Sequence, residues 1–140
     1  MNNNNKTEIS ALGEFGLIDL LTKNIKPVNK STVKGIGDDC AVLNYNNKLS
    51  LVSTDLLIEG VHFDLTYTPL KHLGYKAAIV NFSDIAAMNA KPKQLLVAMA
   101  LSNRFPVEAI QELYNGILLA CNKYNVDLVG GDTTSSASGL

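Results

Sequence analysis

Two adjacent carboxylates on a glycine turn, Gly35-Ile36-Gly37-Asp38-Asp39, open a segment of this chain that looks built for chemistry before it looks built for folding. The glycines allow a tight turn. The neighbouring acids repel each other unless a cation or several donors stand beside them. Further acids recur at the edges of apolar segments. Asp55 ends a strand-like run after the hydroxyls of Ser53 and Thr54, Asp84 follows Asn81 and Ser83 in a largely apolar stretch, and Asp132 follows Gly130-Gly131. Hard divalent cations such as Mg2+ take oxygen ligands, commonly one or two carboxylates completed by waters and substrate phosphates. Carboxylates spread over several loops suit more than one such ion around a phosphate chain, the arrangement used in phosphoryl transfer.

Each residue has a plainer reading. Asp38 or Asp39 can cap a turn. Asp84 within an apolar helix lacks a Lys or Arg one turn away at positions 80, 81, 87 or 88 and so is costly. If the helix breaks at Asn81-Phe82, however, Ser83 or Asp84 becomes an ordinary cap. Gly130-Gly131-Asp132 is also what a simple turn looks like. His62 reads as a half-buried strand histidine, Tyr114 as core or rim, and Cys40 as structural.

The elements that must position these groups follow from periodicity. Apolar residues at Leu12, Phe15, Ile18 and Leu21 give a helix over 10–23, with Ser10 as its cap, and 24–34 reads as a connector. Strands are expected at 40–44 and 49–55, joined at Asn46-Asn47 as a hairpin tip. A short strand or extended loop follows at 60–64. Residues 69–88 form a long helix, with a break allowed near Asn81 or Ser83, and Pro92 forbids its continuation. The run 93–101 suggests a strand buried on both faces. Pro106 opens a helix with Val107, Ile110, Leu113, Ile117 and Tyr124 on one stripe. Val126–Val129 is a short strand running into the Gly-Gly-Asp turn. The order helix, β, β, β, helix, β, helix, β gives one layer of sheet covered by helices, an α/β or α+β sandwich. The tail at 135–140 has no expected packing partner, so the chain reads as cut.

Composition bounds the function. The 140 residues are 46% hydrophobic and 18% charged with net charge −1, an ordinary globular domain without a basic footprint for nucleic acid. If the ligand is a polyphosphate, metal ions must supply most of the positive charge. The two cysteines, Cys40 and Cys121, make neither zinc spacing nor a disulfide framework, which suits a reducing cytoplasm. The asparagine run at the start is not a signal peptide and reads as a frayed end within a disordered 1–8. No apolar run approaches a membrane span. P-loop, dinucleotide-fingerprint, protein-kinase and zinc motifs are absent.

Taken together, Gly13-Glu14-Phe15, GIGDDCAVL (35–43), STDLLIEGVHF (53–63), YKAAIVNFSDIAAMNA (75–90) and VDLVGGDTT (126–134) resemble the amino-terminal domain of the thiamine-monophosphate kinase family. They stand in the family's order and spacing. The resemblance implies the sandwich fold shared with aminoimidazole ribonucleotide synthetase, its sheets pairing into a barrel across a homodimer. It implies transfer of the ATP γ-phosphoryl group to thiamine monophosphate, with several Mg2+ ions. The positions matching Asp39, Ser53, Thr54, Asp55, Asp84 and Asp132 hold metal in that family. Those matching Gly131 and Asp132, with a tyrosine near Tyr114, hold ATP, and the one matching His62 holds the thiamine phosphate. It implies no certain catalytic side chain. Asn89 stands where the family has glycine, and Ser135 where many members carry a basic residue. The family's second, carboxy-terminal domain lies outside these 140 residues. Two alternatives are another ATP-using member of the superfamily and a non-catalytic metal-binding dimerisation module. Selenophosphate synthetase is disfavoured because no cysteine precedes the glycine turn.

Overall fold

The computed structural model describes residues 8–140, so the asparagine run and all of the expected disordered end except Glu8 lie outside the described residues. A 3-10 turn at Ile9–Ala11 leads into α1 (Gly13–Thr22), then β1 (Thr32–Lys34), β2 (Ala41–Tyr45) and β3 (Lys48–Val52). The second half alternates: α2 (Leu70–Ala87), β4 (Gln94–Leu101), α3 (Val107–Tyr124) and β5 (Asp127–Ser135). The chain is mixed α/β, as expected.

The predicted element order is reproduced, but with different members. β1 lies in what reads as a connector, because three residues, Thr32-Val33-Lys34, carry no apolar alternation. The predicted strand at 60–64 is instead a turn. Gly60 holds φ 80°, its N–H donates to the Phe63 carbonyl at 2.8 Å, and only one bridge, Glu59 to Phe63, remains. The strands form two sheets rather than one layer: antiparallel β1-β2-β3 and parallel β4-β5. The hairpin tip is where the sequence puts it. Asn46 and Asn47 hold φ of 52° and 62° and Tyr45 pairs with Lys48, the two-residue loop that matches strand twist.

β4 is not buried on both faces. Leu95 is 9% exposed while Leu96 is 68% exposed, because a two-stranded sheet backed by α2 and α3 has one covered face. β5 runs longer than expected and takes in Gly130, Gly131 and Asp132 as strand rather than turn. Leu95 pairs with Leu128 but Leu96 with Gly130, so Val129 is the extra residue of a bulge.

The core joins α2, α3, β4 and the Phe63 turn through Leu73, Ala78, Phe82, Leu95, Leu113, Ile117 and Cys121. α2 is continuous, without the break allowed at Asn81 or Ser83. Past its end Asn89 takes the left-handed conformation, φ 58°, as a glycine would. The two long helices cross at Gly74 and Gly116. A Cβ on Gly74 would overlap the Leu113 carbonyl, and one on Gly116 the Lys71 carbonyl. On α3, Leu113 and Ile117 are buried as the stripe predicts, but Val107 and Tyr124 at its ends are 69% and 47% exposed. α1 is the expected helix, yet it buries none of its residues. Leu12, not Ser10, occupies its cap position. The tail, expected to lack partners, packs Leu140 against the core, and its Gly139 and Leu140 carbonyls accept from Ser102 and Glu59 N–H at 3.2 and 3.3 Å. Among the described residues no helix is long and apolar enough to cross a membrane.

Candidate functional site

The acids gather where the β2–β3 hairpin meets α2. Ser53, just past β3, donates its hydroxyl to Asp84 Oδ2 on α2 at 2.5 Å. One turn earlier on α2, Asn81 accepts the Asp55 N–H at 3.0 Å and anchors itself to the Ala77 carbonyl at 3.0 Å. Two side chains at helical spacing thus hold the 53–55 segment against the helix. Asn81 is the positioning residue that spacing had flagged only as a neighbour of Asp84.

Electrostatics place the remaining acids at the same junction. Cys40 is 2% exposed. Its thiol is pushed up by burial first, then by the negative fields of Asp84, Asp39 and Asp38, with Ser53 opposing. Asp55 is held above the usual carboxylate range by desolvation first, then by repulsion from Asp84, with His62 opposing. Asp84 thus faces both Asp55 and the Cys40 thiol, with Ser53 bonded to it, His62 acting on Asp55, and Asp39 reaching the group through Cys40. Asp38 differs. It pairs with Lys34 and accepts the Asp39 N–H at 3.1 Å, so its carboxyl lies below its ordinary value. The turn-capping reading fits Asp38. Asp39 keeps a carboxylate that bonds to nothing else among the described residues. Thr54 is exposed and its hydroxyl likewise makes no bond there.

His62 lies on the exposed turn after this segment. Its Nδ1 accepts the Ile58 N–H at 3.0 Å, and Lys76 on α2 donates to its carbonyl at 2.7 Å. The imidazole is oriented by backbone, and its Nε2 makes no hydrogen bond among the described residues.

Asp132 belongs to a second locus. It pairs with Ala98 across β4-β5 and lines a polar pocket of about 300 Å³ with Val97, Tyr114, Gly130, Gly131 and Thr133. Tyr114 and Gly131 line that pocket together with Asp132. Among the described residues no hydrogen bond or ion pair links Asp132 to Asp39, Asp55 or Asp84. Gly131 is required for the close approach of the two strands, since a Cβ there would overlap the Val97 backbone.

Oxygen donors alone, without a Lys or Arg among the described residues paired with Asp55 or Asp84, make a donor set suited to Mg2+. Among the described residues no three His, Cys, Asp or Glu side chains stand close enough to enclose an ion. Magnesium sites are commonly that open, with substrate phosphate and water completing them. Ser53, Asp55, Asp84 and Asp39 fit the ion on that chemistry.

A test of the repulsion follows from linkage. The folded-state pKa of Asp55 is raised, so its ionised form costs stability once pH rises through that pKa, and the cost is absent in acid. In chelator, Asp55→Asn should melt no lower than wild type near pH 7, and any gain should close toward pH 4. Thermal melts across that range check it. A lower melting point at pH 7 contradicts the repulsion.

Comparison with known proteins places this geometry. The family described as AIR synthase related protein, N-terminal domain, matches residues 37–140. Thiamine-monophosphate kinase of Aquifex aeolicus (strain VF5) is 40% identical over 128 residues, covering 91% of this chain and 40% of its own. Thiamine-monophosphate kinase of Buchnera aphidicola subsp. Schizaphis graminum (strain Sg) is 42% identical over 125 residues, 87% of this chain and 38% of its own. The solved structure of AaThiL complexed with AMPPCP and TMP aligns with a TM-score of 0.83 at 38% identity, over 95% of this chain and 41% of that one. The chain spans about two fifths of the length of the curated relatives it matches.

Proposed function

The chain belongs to the AIR synthase related family, through its N-terminal domain, and from that premise we propose that it is the nucleotide- and magnesium-binding part of a cytoplasmic thiamine-monophosphate kinase. The reaction is attack by a phosphate oxygen of thiamine monophosphate on the γ-phosphorus of ATP. The bond to the β–γ bridging oxygen breaks, giving thiamine diphosphate and ADP. The relatives named thiamine-monophosphate kinase, and the likeness to a structure carrying AMPPCP and TMP, support the substrates.

One observation carries the reading: Ser53 and Asn81 tie the Asp55 segment to α2 beside Asp84, which repels Asp55 and, with Asp39, bears on the buried Cys40 thiol, and among the described residues no Lys or Arg pairs with Asp55 or Asp84. Magnesium, when bound, supplies the positive charge that this near-neutral chain lacks around the phosphates. The chain's own residues do the rest. Asp39, Ser53, Thr54, Asp55, Asp84 and Asp132 present hard oxygens. Ser53 and Asn81 hold Asp84 and the Asp55 segment in place. Gly131 lets β5 backbone come close to the nucleotide, with Tyr114 beside it, and His62 presents Nε2 to the acceptor phosphate. The acceptor is already an anion, so no general base is required, and alignment of the two phosphates is the main contribution.

We extend the reading to a homodimer. Leu49, Val52, Val33, Leu96 and Val129 are 54–68% exposed on the strands, apolar surface that a barrel closed across two copies would cover. The test is calorimetric titration with ATP, with and without Mg2+, followed by a coupled assay of the full-length protein on thiamine monophosphate. Metal-dependent binding and formation of thiamine diphosphate are expected. Metal-independent binding removes the basis of the reading. Activity on a different acceptor only would assign another member of the superfamily, and no nucleotide binding would assign a dimerisation module. Sedimentation of a monomer at high concentration would count against the dimer.

A further inference from the structure

We propose that Lys76 is the positioning residue of the acceptor end: through the His62 carbonyl it fixes where an imidazole N–H meets the phosphate of thiamine monophosphate. The proposal rests on the kinase reading above and deepens it, since that reading gives Lys76 no role. The segment from Ser53 to His62 runs back along α2 and is held to it at three points. Ser53 donates to Asp84 at 2.5 Å, the Asp55 N–H donates to Asn81 at 3.0 Å, and Lys76 Nζ donates to the His62 carbonyl at 2.7 Å. Later residues of the segment meet earlier residues of the helix, so the two run antiparallel. From Asp84 to Lys76 is about 12 Å along the helix axis. One end of a continuous helix thus places the acids, and a contact further along it places the histidine.

Two observations single out the Lys76 contact. The first is the choice of partner. Lys76 is exposed and stands on the helix that carries Asp84, yet among the described residues it pairs with no carboxylate. Its ammonium goes to a backbone carbonyl instead, and ordering so long a side chain costs conformational entropy. Among the described residues the other hydrogen bonds of His62 stay within its own turn. Its N–H donates to the Ile58 carbonyl at 2.9 Å, and its Nδ1 accepts from the Ile58 N–H at 3.0 Å. Lys76 is therefore the hydrogen bond that ties His62 itself to α2.

The second is the state of the ring. Nδ1 accepts, so it holds a lone pair, and the proton of the neutral imidazole sits on Nε2. A phosphate oxygen accepts, so Nε2–H is the matching donor. His62 also bears electrostatically on Asp55, so the imidazole and the acids act in one locality. Transfer between two aligned phosphates is sensitive to a displacement of about 1 Å. Losing the Lys76 contact frees the His62 turn to shift against the helix that holds the acids.

Steady-state kinetics of the full-length protein test this with Lys76→Met, Lys76→Gln, His62→Ala and the double variant Lys76→Met with His62→Ala. Both Lys76 variants should raise KM for thiamine monophosphate about tenfold and leave KM for ATP unchanged. Because Lys76 acts through the imidazole, Lys76→Met should cost less than about twofold more once His62 is replaced. A lysine that only supports the fold would move both KM values together. A lysine that touches the substrate itself would cost the same in either background. Either result overturns the positioning role, as does an unchanged KM for thiamine monophosphate in the Lys76 variants. If wild type phosphorylates thiamine monophosphate and the Lys76 variants match it, the proposal fails while the kinase reading stands. If wild type does not, the kinase reading has failed and the proposal with it.

Discussion

Gly116→Ala should lower the stability of this protein although alanine is the better helix former. Gain of helix propensity alone would stabilise by about 1 kcal/mol. Against it stands the crossing of α2 and α3, where an added Cβ would sit on the Lys71 carbonyl and close to the Tyr75 nitrogen, both backbone atoms that cannot swing away. The reciprocal contact is the same: Gly74 faces the Leu113 carbonyl and the Ile117 nitrogen. Restoring room means separating two helices that share Leu73, Ala78, Leu113, Ile117 and Ala120 in one core. Overpacking of that kind costs about 1–3 kcal/mol and more where backbone must move. We expect a net loss of about 2 kcal/mol for Gly116→Ala and an unfolded chain for Gly116→Val, against a total of about 5–15 kcal/mol. Thermal or urea unfolding reads both. A Gly116→Ala protein that melts above wild type contradicts the close crossing.

Asp84→Asn should lower kcat/KM by at least about a hundredfold while leaving the fold intact. Loss of a single partner at a metal or an oxyanion typically costs on that scale. The substitution keeps size and keeps an oxygen for the Ser53 hydroxyl, which stands at 2.5 Å from Oδ2 in the native protein. It removes only the charge. The same change relieves Asp55 of its neighbour's repulsion, so the metal-free melting temperature should stay level or rise. The diagnostic combination is an undiminished melting temperature with a Mg2+ requirement moved to higher concentration. Activity near wild type at low Mg2+ would show that Asp84 is a structural partner of Ser53 and nothing more.

What could be read from the residues alone was local chemistry with few competing explanations. An unpaired Asp in an apolar helix has little reason to exist without a partner, and Asp84 proved to face Ser53, Asp55 and Cys40. Adjacent asparagines between two strand-like runs have one common solution, and Asn46-Asn47 adopt it. Two carboxylates side by side did not carry equal weight, and only the folded chain separated Asp38, tied to Lys34, from Asp39.

The misreadings share a different cause, namely dependence on neighbours distant in sequence. β1 is a strand because β2 pairs with it, not because Thr32-Val33-Lys34 prefers extension. Gly130 and Gly131 signal a turn locally, yet pairing with Leu96 and Val97 keeps them in β5. The run in β4 reads as doubly buried, but burial depends on what covers the second face, and Leu96 there is 68% exposed. α1 shows the same limit: its apolar spacing is real, while Phe15 is 84% exposed. Lys76 carried no signal of its own. A lysine on a helix surface is ordinary, and it stands out only once its ammonium is found on the His62 carbonyl.

Acids from separate loops must share divalent ions with a nucleotide's phosphates if this chain binds the nucleotide through metal. The most direct measurement is anomalous scattering from crystals of the full-length protein grown with Mn2+ in place of Mg2+ and with AMPPCP. The predicted result is manganese within about 2.2 Å of a carboxylate oxygen of Asp55 or Asp84 and also bonded to a phosphate oxygen. Manganese held by the phosphates alone, with no oxygen of Asp39, Asp55, Asp84 or Asp132 among its ligands, would contradict the account.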